Sequence, residues 1–211
     1  MSAKNPSEYA SKDVKNVWHH LTLHQGNAPM IAVEGKGLYL TDLNGKEYLD
    51  ATSGGVWCVN VGYGRDSIAD AAANQMKKLP FYAASCGNLP TIDFSEKLLE
   101  YMPGLTRVYL SSSGSEANEK AFKMIRLRAY NSATKEKKKI LYRYRDYHGT
   151  TIAALSATGQ PERKECFDPF VPGFAEVPHA CCYRCAFGKT YPGCDIECAK
   201  AVEDAILKEG P

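Results

Sequence analysis

The apolar residues near the N-terminus fall into short runs that turn residues separate. Three such runs occupy 31–33, 38–40 and 48–49, with a glycine-rich turn after the first run and the Asn44-Gly45 pair before the last. Asn-Gly between apolar runs is the strongest short-range signal for a β-hairpin. The pattern therefore predicts a small β-meander over 30–50.

Further along the chain, apolar residues recur with the helical period and alternate with short β-rich runs. The predicted helices cover 7–20, 66–79, 91–102, 119–130, 150–157 and 194–209. The predicted strands cover 107–110 and 140–144, and the proline-rich stretch 160–180 is predicted to be a long loop. Helices that alternate with strands indicate an α/β domain with a mostly parallel sheet.

Charge and composition exclude several classes of protein. The 211 residues contain 26 Lys plus Arg and 24 Asp plus Glu, so the net charge is +2. This near balance argues against binding to nucleic acid or to a membrane surface. No apolar run approaches the ~20 residues of a membrane-spanning helix. The N-terminus lacks the apolar stretch of a secretory signal. Without such a signal, the eight cysteines are expected to be reduced thiols of a cytoplasmic protein.

A serine-rich turn at 111–118 is the first candidate for chemistry. It follows the predicted strand 107–110, precedes a helix, and contains Gly114, whose backbone no Cβ obstructs. The first N–H groups of a helix lack intrahelical partners and lie at the positive end of its dipole, so a phosphate binds well there. An ordinary serine-rich helix cap is the alternative interpretation. The absence of a GxxxxGK[ST] motif argues against a nucleotide-binding P-loop.

Two motifs carry a resemblance to a known family. Residues 113–126, SGSEANEKAFKMIR, resemble the phosphate-binding helix of the class III aminotransferases. Residues 147–151, YHGTT, resemble that family's aromatic–His–Gly turn, whose ring stacks on the pyridine of the cofactor. The two motifs occur in the family's order and at about its spacing, and the resemblance extends from Trp18 to the last residue.

The resemblance implies a fold, a cofactor and an assembly. The fold is the α/β pyridoxal-phosphate transferase fold type I, as in aspartate aminotransferase, with only its N-terminal part present. Residues 1–62 would belong to the small domain, with its β-meander, and 63–211 to the first part of the large cofactor-binding domain. The cofactor is pyridoxal 5′-phosphate, and the complete protein is expected to be a homodimer. The cofactor-binding residues that this resemblance implies are Ser113, Gly114, Ser115, Tyr147 and His148.

The stretch 53–64 is the candidate substrate loop. Residues 54–64 contain four glycines in eleven residues, mixed with aromatic residues, and this composition suits close approach of another group to the backbone. By resemblance the loop lines the substrate pocket, and Trp57 is the residue placed there. A buried tryptophan that joins two subdomains is an equally weighted alternative. The overall similarity is greatest to members that use taurine or other ω-amino acids or amines, with pyruvate as the acceptor.

The resemblance also leaves parts of the family site unaccounted for. The family's Schiff-base lysine and the acidic group that pairs with the ring nitrogen are expected beyond Pro211, and no lysine here stands in the family's lysine motif. No catalytic residue is therefore assigned. Class III aminotransferases are about twice as long as this chain, which predicts an N-terminal fragment that is inactive alone.

A cysteine cluster near the C-terminus leaves other functions open. Cys182 and Cys185, followed by Cys194 and Cys198, resemble the paired spacing of a four-thiolate zinc site. Free thiols that pack a loop against a helix are the favoured alternative, and no metal is assigned. Two rival functions remain: an aminomutase of the same fold, which would give no keto or aldehyde product with pyruvate, and a zinc-stabilised, non-catalytic module, which would bind metal but no pyridoxal phosphate.

Overall fold

The structure is a computed structural model that describes residues 5–20, 22–23 and 25–210. Leu21, which belongs to the first segment of the family resemblance, and Pro211 lie outside the described residues. The chain divides into two compact units, Met1–Ile92 and Asp93–Pro211, each of which is described by itself. The domain boundary predicted at residue 62 concerns the complete protein and stays a prediction. None of the described helices is long and apolar enough to cross a membrane.

The first unit contains the predicted meander. Strands β1, β2 and β3 form an antiparallel sheet in that order, with Tyr39 paired to Leu49 across the second hairpin. The prediction over 30–50 is therefore confirmed, although the first turn lies at 37–38, where Gly37 has a φ of +58°. The elements of this part of the chain are α1 Pro6–Asn16, β1 Ala32–Lys36, β2 Tyr39–Asp42, β3 Glu47–Leu49, α2 Asp66–Lys78 and α3 Leu89–Glu100, whose end lies in the second unit.

Helix α1 is shorter than the predicted helix 7–20. Pro6 occupies its first turn and the side chain of Asn5 accepts a hydrogen bond from the Ser7 N–H at 3.1 Å, an N-cap that agrees with the sequence. The helix ends at Asn16 because Val17 adopts an extended conformation. None of its side chains is buried, so packing does not extend the helix against this local preference.

The second unit is built around a parallel strand pair. Strands β4 and β5 pair in register from Ile140 with Phe174 to Arg143 with Val177. A parallel pair supports the predicted α/β architecture, although the sheet within the described residues is small. The elements are α4 Gly114–Tyr130, β4 Ile140–Arg143, α5 Ile152–Ser156, α6 Pro161–Lys164, β5 Phe174–Val177 and α7 Glu197–Glu209.

Two predictions for this unit were wrong. The stretch 160–180 is not a continuous loop, because it contains both α6 and β5. Strand β5 has only four residues, and four prolines lie around it. The prolines favoured a loop, so the short strand between them was missed. The segment 107–110 is not a strand, since none of the described residues pairs with it in a β-ladder. Local β-propensity alone does not form a strand without a neighbour.

The core of the second unit supports the turn that follows β4. Its buried apolar residues are Ala129, Ala154, Leu155, Ala157 and Val177. The completely buried Thr158 donates to the Ala154 carbonyl at 3.0 Å and accepts from the His148 N–H at 3.2 Å. Both hydroxyl functions are satisfied, as burial of a polar group requires, and the second bond fixes the backbone of the predicted aromatic turn.

Gly159 allows two backbone segments to approach each other closely. Its N–H donates to the Asp146 carbonyl at 2.9 Å, and its own carbonyl accepts from the Arg145 N–H at 2.6 Å. A Cβ at this position would lie 2.1 Å from the Arg143 carbonyl oxygen. The close pairing of 143–146 with 159 therefore requires glycine.

Substitution of Gly159 by alanine should destabilise the complete protein by about 1–3 kcal/mol, the usual cost of overpacking. The matched control is Gly114→Ala, because a Cβ at Gly114 meets no atom within 4 Å. Urea denaturation of both variants measures the difference in the free energy of unfolding. Equal stability of the two variants would contradict the close approach at Gly159.

Candidate functional site

The N-terminus of helix α4 is held by a reciprocal pair of hydrogen bonds. The Ser113 hydroxyl accepts from the Glu116 N–H at 3.2 Å, which makes Ser113 the N-cap. The Glu116 carboxylate accepts in return from the Ser112 N–H at 2.9 Å. This arrangement is close to a capping box. It fixes the direction of the chain as it enters the helix, and it places a carboxylate in the first turn.

Gly114 and Ser115 leave their N–H groups available. They occupy the first two positions of α4, where a backbone N–H has no intrahelical acceptor, and the described residues supply no other acceptor. A Cβ built on Gly114 would meet no atom within 4 Å. The backbone at Gly114 is helical rather than left-handed, so the local conformation does not require glycine there. Two N–H groups without acceptors at a helix N-terminus, beside an unobstructed Gly114, suit an approaching anion.

Ser115 joins this helix end to the predicted aromatic turn. Its hydroxyl oxygen accepts from the Thr150 N–H at 3.1 Å. Gly149 has a φ of +136°, and a Cβ there would lie 2.3 Å from the Ser115 hydroxyl oxygen. Gly149 is thus required both by its backbone conformation and by the closeness of Ser115. The structure therefore brings the two motifs that the sequence singled out into direct contact.

Two polar residues of the next helical turn strengthen this contact. The Asn118 amide donates to the His148 carbonyl oxygen at 2.6 Å. The Glu119 carboxylate accepts from the Thr151 hydroxyl at 2.6 Å and from the Ala154 N–H at 3.3 Å. Sequence analysis assigned no role to Asn118 or Glu119. Asn118 and Glu119 lie three and four residues after Ser115, which places them on the same face of α4. This spacing is the feature of the sequence from which their role could have been predicted.

Tyr147 presents a partly exposed ring beside this junction. The side chain is 47% exposed, and the Arg163 guanidinium lies 4.7 Å from the ring centroid. A cation over an aromatic face is attracted by the ring quadrupole. Arg163 therefore lies over one face of the Tyr147 ring, while the residue as a whole stays partly exposed. Sequence analysis did not identify Arg163, because it lies on α6 in the stretch predicted to be a loop.

His148 contributes to the turn mainly through its backbone. Its N–H and its carbonyl are both hydrogen-bonded, to Thr158 and Asn118 respectively. The Nε2 of its half-buried ring lies 3.9 Å from the Asp146 carboxylate, which is also bound by the Arg143 guanidinium at 3.0 Å and 3.2 Å. The ring thus belongs to a small charged cluster at the carboxyl end of β4.

The predicted substrate loop, in the first unit, has an unusual backbone. Ser53, Gly54, Gly55 and Trp57 all have positive φ values, between +55° and +83°. Left-handed conformations are ordinary for glycine but unfavourable for serine and tryptophan. The Trp57 side chain is 77% exposed, so it is not buried among the described residues. The backbone of this loop therefore needs external support.

Asp50, immediately after β3, provides that support. One carboxylate oxygen accepts from the N–H and the hydroxyl of Thr52, at 2.9 Å and 2.8 Å. The other accepts from the Gly54 N–H at 2.5 Å and from the Tyr63 hydroxyl at 2.6 Å. Tyr63 is itself bound to Gly37 by two backbone hydrogen bonds, so Asp50 connects the loop to the sheet. The Tyr63 hydroxyl, followed by the Gly54 and Thr52 donors, holds the pKa of Asp50 well below its usual range.

The cysteine cluster does not form a metal centre in the described part of the chain. No three His, Cys, Asp or Glu side chains are grouped there as metal ligands. The cysteines are all free thiols, and those at 181–198 lie around one small cavity. The zinc interpretation of the spacing thus gains no support from the geometry.

Comparison with known proteins identifies close relatives. A family model described as aminotransferase class-III matches residues 22–209. The taurine–pyruvate aminotransferase of Bilophila wadsworthia is 54% identical over 205 residues, which are 97% of this chain and 45% of the relative. The hypotaurine/taurine–pyruvate aminotransferase of Paracoccus denitrificans is 50% identical over 214 residues, 100% of this chain and 46% of the relative. The chain thus spans about half the length of the curated relatives that it matches.

Solved structures agree with these relatives. An ω-transaminase of Pseudomonas jessenii in complex with PMP matches 96% of this chain with a TM-score of 0.90 and 34% identity. A thermostable (S)-enantioselective ω-transaminase of Thermomicrobium roseum matches 100% of the chain with a TM-score of 0.92 and 36% identity. The chain covers 46% and 48% of those two structures.

The support that Asp50 gives to the loop should depend on pH. A carboxylate whose pKa is lowered by folding contributes its full stability above its ordinary pKa near 3.8. This contribution is lost progressively as the pH falls from that value towards the lower pKa of the folded state. Asp50→Asn should therefore unfold at a lower temperature than the unsubstituted protein at pH 7. The difference between the two melting temperatures should become smaller as the pH is lowered. Asp70→Asn, on the exposed surface of α2, is the matched control. A difference in melting temperature between Asp50→Asn and the unsubstituted protein that stays constant from pH 7 to pH 3 would contradict the role of Asp50.

Proposed function

Because this chain belongs to the class III aminotransferase family, we propose that the complete protein transfers an amino group from taurine, or a related ω-amino acid or amine, to pyruvate. The fold is the N-terminal part of the pyridoxal-phosphate transferase fold type I, and pyridoxal phosphate is the cofactor of the family. Taurine and pyruvate are named for relatives that are 50–54% identical, and they support the choice of substrates here.

The start of helix α4 is the single observation that carries the proposal for this chain's own residues. Gly114 and Ser115 offer two available N–H groups at the positive end of a 17-residue helix, and a Cβ at Gly114 would meet no atom within 4 Å. The aromatic turn that contains Tyr147 is bonded directly to the same helix end through Ser115. A phosphate on the helix and a pyridine ring against Tyr147 are the two attachments that such a cofactor needs.

Each predicted cofactor residue acquires a distinct role in this proposal. The Gly114 and Ser115 N–H groups hold the phosphate, and Ser113 fixes the helix start by capping it. The ring of Tyr147 stacks on the pyridine through the face that Arg163 does not cover. His148 fixes the turn through its two backbone hydrogen bonds rather than by contact with the phosphate.

The chemistry itself is supplied by the cofactor when it is bound, because its ring withdraws electrons from the substrate's amine-bearing carbon. The residues of this chain bind and orient it. We place the Schiff-base lysine and the acidic partner of the ring nitrogen in the part of the family fold that these 211 residues do not span. The 211 residues alone are then expected to form no alanine from taurine and pyruvate.

Trp57 is the proposed selector of the amine. Its side chain is exposed among the described residues, while Asp50 and Tyr63 hold the backbone that carries it. A large, rigid aromatic group on a firmly held loop can limit the size of an amine by steric exclusion. This assignment is an inference from the loop and from the family resemblance.

The assembly and location of the complete protein are also proposed. We expect a homodimer in the cytoplasm, without nucleic-acid or membrane partners. Several apolar side chains on α4 and α7 support further burial in the complete protein: Met124, Ile125, Leu127, Ile206 and Leu207 are between 48% and 75% exposed. An exposed apolar surface of this kind indicates contact with more protein.

The proposed activity is tested on the complete protein. Purified with pyridoxal phosphate, it should convert taurine and pyruvate to alanine and sulfoacetaldehyde, and β-alanine should replace taurine in part. Substitution of 2-oxoglutarate for pyruvate should lower the rate. An isomerised amino acid without alanine would instead identify an aminomutase, and absence of any product together with absence of cofactor binding would reject the proposal.

A valine at Gly114 should weaken retention of the phosphate. Its branched side chain would fill the space that is open beside Gly114, where we place the phosphate. Loss of an anion at a helix N-terminus costs up to about 2 kcal/mol, or roughly thirtyfold in affinity. Titration of the apoprotein with pyridoxal phosphate measures the change. Inorganic phosphate should compete less well with the cofactor in this variant than in the unsubstituted protein. An unchanged affinity would remove this helix from the site.

The ring of Tyr147 should be required, but not its hydroxyl. Tyr147→Ala should weaken cofactor binding by about 0.5–1.5 kcal/mol, equivalent to about 2- to 12-fold. Tyr147→Phe retains the ring and should bind within about twofold of the unsubstituted protein. The same titration measures both variants, and equal losses in alanine and phenylalanine variants would contradict stacking.

Removal of the Trp57 side chain should widen the range of amines. In Trp57→Gly, kcat/KM for bulky amines should rise relative to that for taurine, while the melting temperature changes little because the side chain is exposed. Rate measurements with a series of amines of increasing size provide the test. A collapse of the melting temperature with an unchanged amine profile would instead support the alternative of a buried structural tryptophan.

A further inference from the structure

Five of the eight cysteines surround one cavity in the second unit. Cys181, Cys182, Cys185, Cys194 and Cys198 all line a space of about 30 Å³, enough for a small solvent molecule. All five are free thiols, and four of them are half-buried. Such crowding of thiols is unusual for side chains that only fill a core, and the aminotransferase function proposed above does not use them.

Two features tie the turn that carries Cys185 to the helix that carries Cys198. The Lys189 ammonium lies 2.7 Å from the Glu197 carboxylate, and Glu197 directly precedes Cys198 at the start of α7. Cys194 lies just before Asp195 and Ile196, whose left-handed backbones turn the chain into α7. The ion pair and this reversal connect the turn that carries Cys185 to the start of α7, and both cysteine pairs line the same cavity.

Cys185 has the surroundings of a nucleophilic thiol. It follows a 3₁₀ turn at Cys182–Arg184, and its carbonyl accepts from the Gly188 N–H at 3.1 Å. The turn from Cys185 to Lys189 places several backbone N–H groups and the Lys189 ammonium near its thiol. These donors lower the pKa of the Cys185 thiol, with the Lys189 and Phe187 N–H groups as the strongest causes. The thiolate is the form that attacks a disulfide.

We propose that the cysteine-lined cavity is a reversible thiol oxidation site, at which Cys185 reacts with a small disulfide such as oxidised glutathione. The observation that supports it is the placement of four further thiols around one half-buried nucleophile. A metal site is the rival use of such thiols, but no three donors converge as ligands in the described residues.

The reaction proceeds in two exchanges that balance. The Cys185 thiolate attacks one sulfur of the disulfide, so a Cys185–glutathione bond forms and the first glutathione leaves as a thiolate. A second cavity thiol then loses its proton to solvent and attacks the Cys185 sulfur, which expels the second glutathione. Two cysteine thiols are oxidised to one intramolecular disulfide, and one glutathione disulfide is reduced to two thiols.

The first test counts and locates the oxidised thiols in the complete protein. After incubation with oxidised glutathione and removal of excess reagent, about two free thiols per chain should be lost. Peptide mapping should find a disulfide between Cys185 and another of the five cavity cysteines, and reduced glutathione should reverse it. A disulfide that excludes Cys185, or no loss of thiols, would overturn the proposal.

The second test needs no substitution and therefore does not depend on the folding of a variant. Iodoacetamide labelling of the reduced protein, followed by mass spectrometry from pH 5.5 to 9, compares Cys185 with the exposed Cys86 of the same chain. Cys185 should be labelled faster than Cys86 at the acidic end. The charged and titratable groups beside it are His179, Lys189, Tyr191 and Glu197. Equal or slower labelling of Cys185 would overturn the assignment.

Two controls distinguish this site from unselective thiol oxidation and from metal binding. Cys185→Ser should abolish the disulfide, whereas Cys86→Ser should leave it unchanged. Because these readouts record thiol chemistry alone, their failure would be distinct from failure of the aminotransferase assay. About one zinc per chain in the reduced protein, with the cysteines protected from iodoacetamide until the metal is chelated, would overturn the proposal in favour of a metal site.

Discussion

The contact between Ser115 and the turn at 147–151 is the constraint on which the candidate cofactor site depends. Gly149 has no Cβ and a positive φ, so the Ser115 hydroxyl can approach its backbone and accept the Thr150 N–H. Asn118 and Glu119 add hydrogen bonds from the next turn of the same helix. A helix end and an aromatic turn about thirty residues apart thereby become one rigid surface. That rigidity matters because a cofactor held at its phosphate and at its ring needs both supports at a fixed separation.

A single carboxylate has the corresponding role in the first unit. Asp50 satisfies four donors at once and holds a loop in which serine and tryptophan adopt left-handed backbones. Such conformations persist only where the surroundings over-determine them, and they are found disproportionately at functional sites. The strained loop is thus the part of this unit that most resembles a binding element, and the charge on Asp50 is what maintains it.

The three functional regions rely on different kinds of polar contact. The proposed phosphate site at the start of α4 leaves backbone donors available for a ligand, whereas the donors of the Trp57 loop are bound to the Asp50 carboxylate. Beside the cysteine cavity, the backbone N–H groups of Lys189 and Phe187 lower the pKa of the Cys185 thiol. In each case the N–H groups lie in a turn or at a helix end, outside the regular ladders of secondary structure. The chemistry of this chain is therefore concentrated at the ends of its regular elements.

The sequence by itself determined the features that neighbouring residues decide. These are the meander around Asn44-Gly45, the serine cap of α4 and the presence of an aromatic turn, because caps and tight turns are set within a few residues. Tertiary structure decided the rest. Segment 107–110 is not a strand because no other segment that the structure describes pairs with it. Strand β5 exists because β4 pairs with it, and Arg163 of α6 lies over Tyr147. Such contacts join residues far apart in the chain, and the local pattern on which sequence analysis depends contains no information about them.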